Sequence, residues 1–114
     1  LKLRAEIAIL ESRSEEAIGM YRKLCVEDPL DGKALLRLGE LLQQSGDFGG
    51  AELAIERAGR LDGLEAEAKV QLAQFAVERR QDAKAVVLLE AAQTLDAKSH
   101  VERYLKQVRR LAER

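Results

Sequence analysis

A chain of 114 residues has room for one folding unit with a modest core, and 46% hydrophobic with 34% charged residues excludes a disordered chain. Nineteen basic and 20 acidic side chains leave a net charge of -1, which excludes a global field able to recruit nucleic acid or an anionic membrane. Proline occurs once, and Ala, Leu, Glu, Arg and Lys dominate, side chains that lose little freedom in a helix.

Taken in chain order, the apolar spacing predicts helices near 1–11, 14–27, 32–44, 48–61, 65–79, 83–95 and 100–113. Asp28-Pro29 ends the second of these, because proline lacks an N–H and pushes its predecessor out of helical geometry. Ser45-Gly46-Asp47 separates the next pair, with Gly46 suited to a left-handed helix end and Asp47 to an N-cap. Asp62-Gly63 and Asp96-Ala97 mark the later turns. Ser99 followed by Glu102 has the spacing of a capping box at the start of the last helix.

The chain also matches itself at an offset of 34 residues. Asp28, Asp62 and Asp96 fall in register, as do Ala17, Ala51 and Ala85, and Leu24, Ala58 and Ala92. Ala51, Ala54, Ile55 and Ala58 sit at i, i+3, i+4 and i+7, one face of a helix. Ala85, Leu88, Leu89 and Ala92 repeat that stripe, and so do Ala17, Met20, Tyr21 and Leu24. Three segments with one stripe at one phase define a repeat. The units run over about 1–30, 31–63 and 64–97, and residues 99–113 form a final helix whose polar outer face suits a cap.

Leu38-Gly39, Gly46, Phe48, Ala51, Ile55, Ala58 and Leu61-Asp62 resemble the tetratricopeptide repeat pattern in the middle unit. The third unit keeps Leu72-Ala73, Ala85, Leu89, Ala92 and Leu95-Asp96 but has no turn glycine. The first keeps Ala5, Ala17, Tyr21, Leu24 and Asp28-Pro29. The resemblance implies an all-α, right-handed solenoid of about three antiparallel helical hairpins plus a C-terminal capping helix, forming a single domain over 1–114. It also implies a protein–protein interaction module, because the first helix of each unit lines a concave face in that family. By register, that face takes Lys33, Leu36, Arg37, Glu40, Gln43 and Gln44 from the middle unit. Glu67, Val70, Gln71, Gln74 and Val77 follow from the third, and Lys2, Glu6 and Ile9 from the first. Family members that clamp a C-terminal carboxylate use lysines, arginine and asparagines there. Here Glu6, Arg37, Glu67 and Gln71 replace all but Lys2, and the glutamates repel such a ligand.

Nothing in the residues points to an enzyme, a cofactor or a metal. His100 is the only histidine, and Cys25, the only cysteine, reads as a small packing residue with no internal disulfide partner. Gly49-Gly50 follows no strand and precedes no Gly-Lys-Ser/Thr, so it is no phosphate loop. The basic residues Arg103, Lys106, Arg109, Arg110 and Arg114 are interrupted by Glu102 and Glu113, a solvated face rather than a nucleic-acid platform. No apolar run approaches the roughly 20 residues of a membrane span. The expected partner is a protein or peptide, and the expected setting is soluble and cytoplasmic. The chain opens at Leu1 without methionine and reads as a piece of a longer protein. Leu1, Leu3 and Ile7 on the first helix offer an apolar patch for homodimerisation, and the competing role is a structural spacer or self-association segment of a larger scaffold.

Overall fold

The computed structural model describes Leu3, residues 14–61 and residues 63–114. Six helices account for most of them: α1 Ser14–Glu27, α2 Gly32–Ser45, α3 Phe48–Gly59, α4 Glu65–Glu78, α5 Asp82–Leu95 and α6 Ser99–Ala112. No strand occurs among the described residues, so the class is all-α. Helix boundaries agree with the apolar periodicity to within two residues. Apart from Leu3, which is helical, the helix expected over 1–11 lies outside the described residues.

The chain divides into two compact units, Leu1–Leu61 and Asp62–Arg114. In the first, α2 packs against both α1 and α3. Its core takes Ala17, Tyr21 and Cys25 from α1, Leu35, Leu38, Leu41 and Leu42 from α2, and Ala51, Ala54, Ile55 and Ala58 from α3. In the second unit α5 packs against α4 and α6. Ala73, Ala76, Ala85, Leu89, Val101, Leu105 and Val108 form its core. Small residues at the helix contacts let the axes approach closely. At Gly39 the approach is closest: a Cβ there would lie 2.6 Å from Ile55 Cγ1 and 3.2 Å from the Ala51 carbonyl oxygen.

Both hairpins turn in the same way. Gly46 adopts φ +92°, its N–H donates to the Gln43 carbonyl, and the Asp47 N–H donates to the Leu42 carbonyl. The Asp47 carboxylate then accepts from the Gly50 N–H at 3.0 Å and caps α3. Thirty-four residues on, Arg80 adopts φ +60°, with matching bonds from Arg80 N–H to the Val77 carbonyl and from Gln81 N–H to the Ala76 carbonyl. The Gly-Asp chemistry is absent there: Arg80 carries a Cβ in the left-handed region, and Gln81 makes no side-chain cap. Left-handed geometry costs a non-glycine residue roughly 1–2 kcal/mol. Replacing Arg80 by glycine is therefore expected to stabilise the second unit by about 0.5–1 kcal/mol after glycine's own entropic cost. Adding Gln81→Asp supplies a cap worth about 1 kcal/mol. Denaturant unfolding of the double variant checks the sum, which should approach that of the Gly46-Asp47 turn chemistry.

The start of α6 departs from the sequence reading. Ser99 is the first helical residue rather than the N-cap, and Lys98, in extended geometry, precedes it with no side-chain cap. Gln93 of α5 reaches this helix start instead. Its Oε1 accepts from the Lys98 N–H at 3.0 Å, and its Nε2 donates to the Lys98 carbonyl and to Glu102 Oε2, each at 3.2 Å. A longer-range amide thus satisfies one backbone donor at this helix start, where the local Ser–Glu spacing was expected to satisfy two. Arg109 Nη2 lies 3.3 Å from Glu90 Oε2 and adds a second polar tie between α5 and α6.

Candidate functional site

The residues expected on the binding face fall on α2 in the first unit and on α4 in the second. On α2, Lys33 and Gln44 are exposed, while Arg37 and Glu40 are half-buried and paired across 2.9 Å. Arg37 and Glu40 stand one helical turn apart, the spacing at which opposite charges on a helix surface meet. Asp31 anchors the start of this helix, its carboxylate accepting from the Ala34 N–H at 3.0 Å. Leu36 and Gln43, expected on the same face, are 5% and 8% exposed. They belong to the packed interior and offer little surface to a ligand. Their helix carries apolar residues at 34, 35, 36, 38, 41 and 42, a stripe so broad that its edges are buried too.

On α4, Glu67 and Gln74 are exposed and Gln71 is half-buried. Val70 and Val77 pack against the core of the second unit and expose only part of their surface. What the expected positions expose on each helix is therefore mostly polar, amides and charges of both signs on α2 and acidic and amide side chains with a narrow aliphatic margin on α4. Lys2, Glu6 and Ile9 lie outside the described residues, as do Leu1 and Ile7 of the expected dimer patch; Leu3 is exposed.

The residues considered for chemistry fall in different units. Cys25 is a buried thiol on α1, and His100 is exposed in the first turn of α6. Among the described residues no three metal-ligating side chains come together, and no helix is long and apolar enough to cross a membrane. Burial of the Tyr104 phenol raises its pKa, and the nearby negative charges of Glu78 and Asp82 act in the same direction. It thus stays protonated through neutral pH, and its ring packs against the core of the second unit.

One feature on the first unit escaped the sequence reading: an open cleft of about 410 Å³ between α1 and α3, with Leu38 and Leu42 of α2 contributing to its lining. Its residues recur at i, i+3, i+4 and i+7 on both flanking segments, Arg22, Cys25, Val26 and Pro29 on one side and Gly50, Leu53, Ala54 and Arg57 on the other. The α3 stripe lies one step before the alanine stripe of the repeat, and only the spacing between two non-adjacent helices makes it a cleft.

No family model matches the chain, and no curated protein matches it. Solved structures do. The type III secretion chaperone SycD of Yersinia enterocolitica, crystallised in complex with a peptide of the translocator YopD, superposes with a TM-score of 0.75. It is 24% identical, and the match covers 96% of this chain and 84% of that one. MamA matches with a TM-score of 0.71 and 23% identity over 91% of this chain and 61% of its own. The fold is a tetratricopeptide-like helical repeat. At these identities the likeness speaks to architecture, and the side chains must carry the rest.

Proposed function

We propose that the protein acts by binding rather than catalysis, as a module that holds a peptide or a segment of a partner protein along the outward faces of its first helices. Those faces are Lys33, Arg37, Glu40 and Gln44 on α2 in one unit, and Glu67, Gln71 and Gln74 on α4 in the other. The observation that carries this reading is the fold shared over 96% of the chain with a chaperone crystallised on a peptide. The character of the faces supports it. Amides and an Arg–Glu pair suit an extended or helical segment recognised through hydrogen bonds, with the margins of Val70 and Val77 as modest apolar anchors.

Panning a random peptide library on the purified protein tests the proposal. Peptides selected by wild type should bind Arg37→Glu or Gln74→Ala at least about tenfold more weakly, a loss of roughly 1.4 kcal/mol, while both variants keep their helical spectrum. Selected peptides that bind both variants as tightly as wild type would reject these faces.

A further inference from the structure

We infer that the cleft between α1 and α3 is a second docking site, built for an acidic, leucine-rich amphipathic segment of a partner protein. The floor is apolar and well packed: Cys25, Leu38, Leu42 and Ala54 are each no more than 6% exposed. The rim is apolar as well but open to solvent, with Val26 81% and Leu53 56% exposed. Aliphatic side chains raised at the edges of an apolar floor lose water only when another apolar group settles between them. Gly50 and Ala54 keep the α3 wall low, so a side chain of the occupant can reach the floor.

Charge selects the occupant. Arg22 reaches the N-terminal end of α3, where its Nη2 lies 3.8 Å from Asp47 Oδ2, and its side chain remains 59% exposed. Arg57, also exposed, lies on α3 seven residues beyond Gly50, about 10 Å further along at the helical rise. Among the described residues no acidic side chain lines the cleft. A guanidinium therefore stands toward each end of an apolar trough, and the complementary ligand carries carboxylates that flank large aliphatic side chains. Asp47 already spends one oxygen on the Gly50 N–H, so an incoming carboxylate competes for Arg22 only with a long, solvent-exposed pair. The volume lies at the lower end of the range for ligand sites and takes the apolar stripe of about two helical turns, not a whole helix.

This site shares no residue with the α2 and α4 faces, so the two can be tested apart. The probe is a fluorescein-labelled helical peptide with leucines at i, i+3 and i+4 and glutamates at both ends, beside a counterpart with lysine for each glutamate. Fluorescence anisotropy should show saturable binding of the acidic peptide and at least tenfold weaker binding of the basic one. Arg57→Glu and Leu53→Glu, both at exposed positions, should each weaken the acidic peptide at least tenfold with the helical spectrum retained. Arg37→Glu should leave it within twofold. Equal binding of both peptides, no binding of either, or affinity indifferent to Arg57→Glu would overturn the site. Loss on Arg37→Glu alone would move the peptide to the α2 face, overturning this inference while supporting the function proposed above. Concentration-dependent dimerisation abolished by Leu53→Glu, with no peptide bound, would make the occupant a second copy of the chain and equally overturn it.

Discussion

Leu89→Ala is expected to destabilise the second unit by about 2–5 kcal/mol, toward the upper end of that range. Leu89 is fully buried, and its unit's core contains Ala73, Ala76, Ala85 and Ala92, side chains too short to collapse into the space left behind. A cavity that its lining cannot fill adds its own penalty to the lost transfer free energy. Hydrogen exchange locates the effect: protection should fall first across α4, α5 and α6. Uniform loss of protection through α1, α2 and α3 as well would mean that the two compact units unfold as one.

The second large effect is at Gly39, where alanine should cost about 2 kcal/mol. Glycine in a helix interior is about 1 kcal/mol worse than alanine, so elsewhere in α2 the substitution would stabilise. Here the added Cβ runs into Ile55, at 2.6 Å from a γ carbon that sits on a branched, stiff side chain, and approaches the Ala51 carbonyl at 3.2 Å. Overpacking of this kind costs about 1–3 kcal/mol, and the backbone atoms behind the contact place it at the upper end. The second unit shows the remedy at the same register. Ala73 stands where Gly39 does and Leu89 where Ile55 does, both fully buried. Gly39→Ala combined with Ile55→Leu should therefore recover most of the loss, and a double-mutant cycle should show strong coupling between the two sites. Additive losses would reject the contact as the cause.

Much of this architecture was legible in the residues. The alanine stripes gave the helices and their phase, and Gly46-Asp47 gave a turn whose glycine adopts φ +92° and whose aspartate caps α3. What could not be read depended on contacts remote in sequence or on residues used against type. Arg80 takes a left-handed conformation that arginine does not advertise; only the offset of 34 from Gly46 betrays it. Ser99 and Glu102 have capping-box spacing, yet Gln93 from the preceding helix reaches that helix start. On the proposed binding face, register alone placed Leu36 and Gln43 beside Lys33 and Gln44, but burial separates them. The cleft beside Arg22 and Arg57 requires α1 and α3 to flank α2 at the right distance, which no local pattern encodes.

Peptide binding on the outward faces of α2 and α4 can be followed through the backbone amide shifts of isotope-labelled protein during titration with a library-selected peptide. Saturable shifts should centre on Lys33, Arg37, Glu40 and Gln44 in the first unit and on Glu67, Gln71 and Gln74 in the second. Shifts confined to Val26, Leu53 and Arg57, or a saturating peptide that moves none of these amides, would contradict binding on these faces.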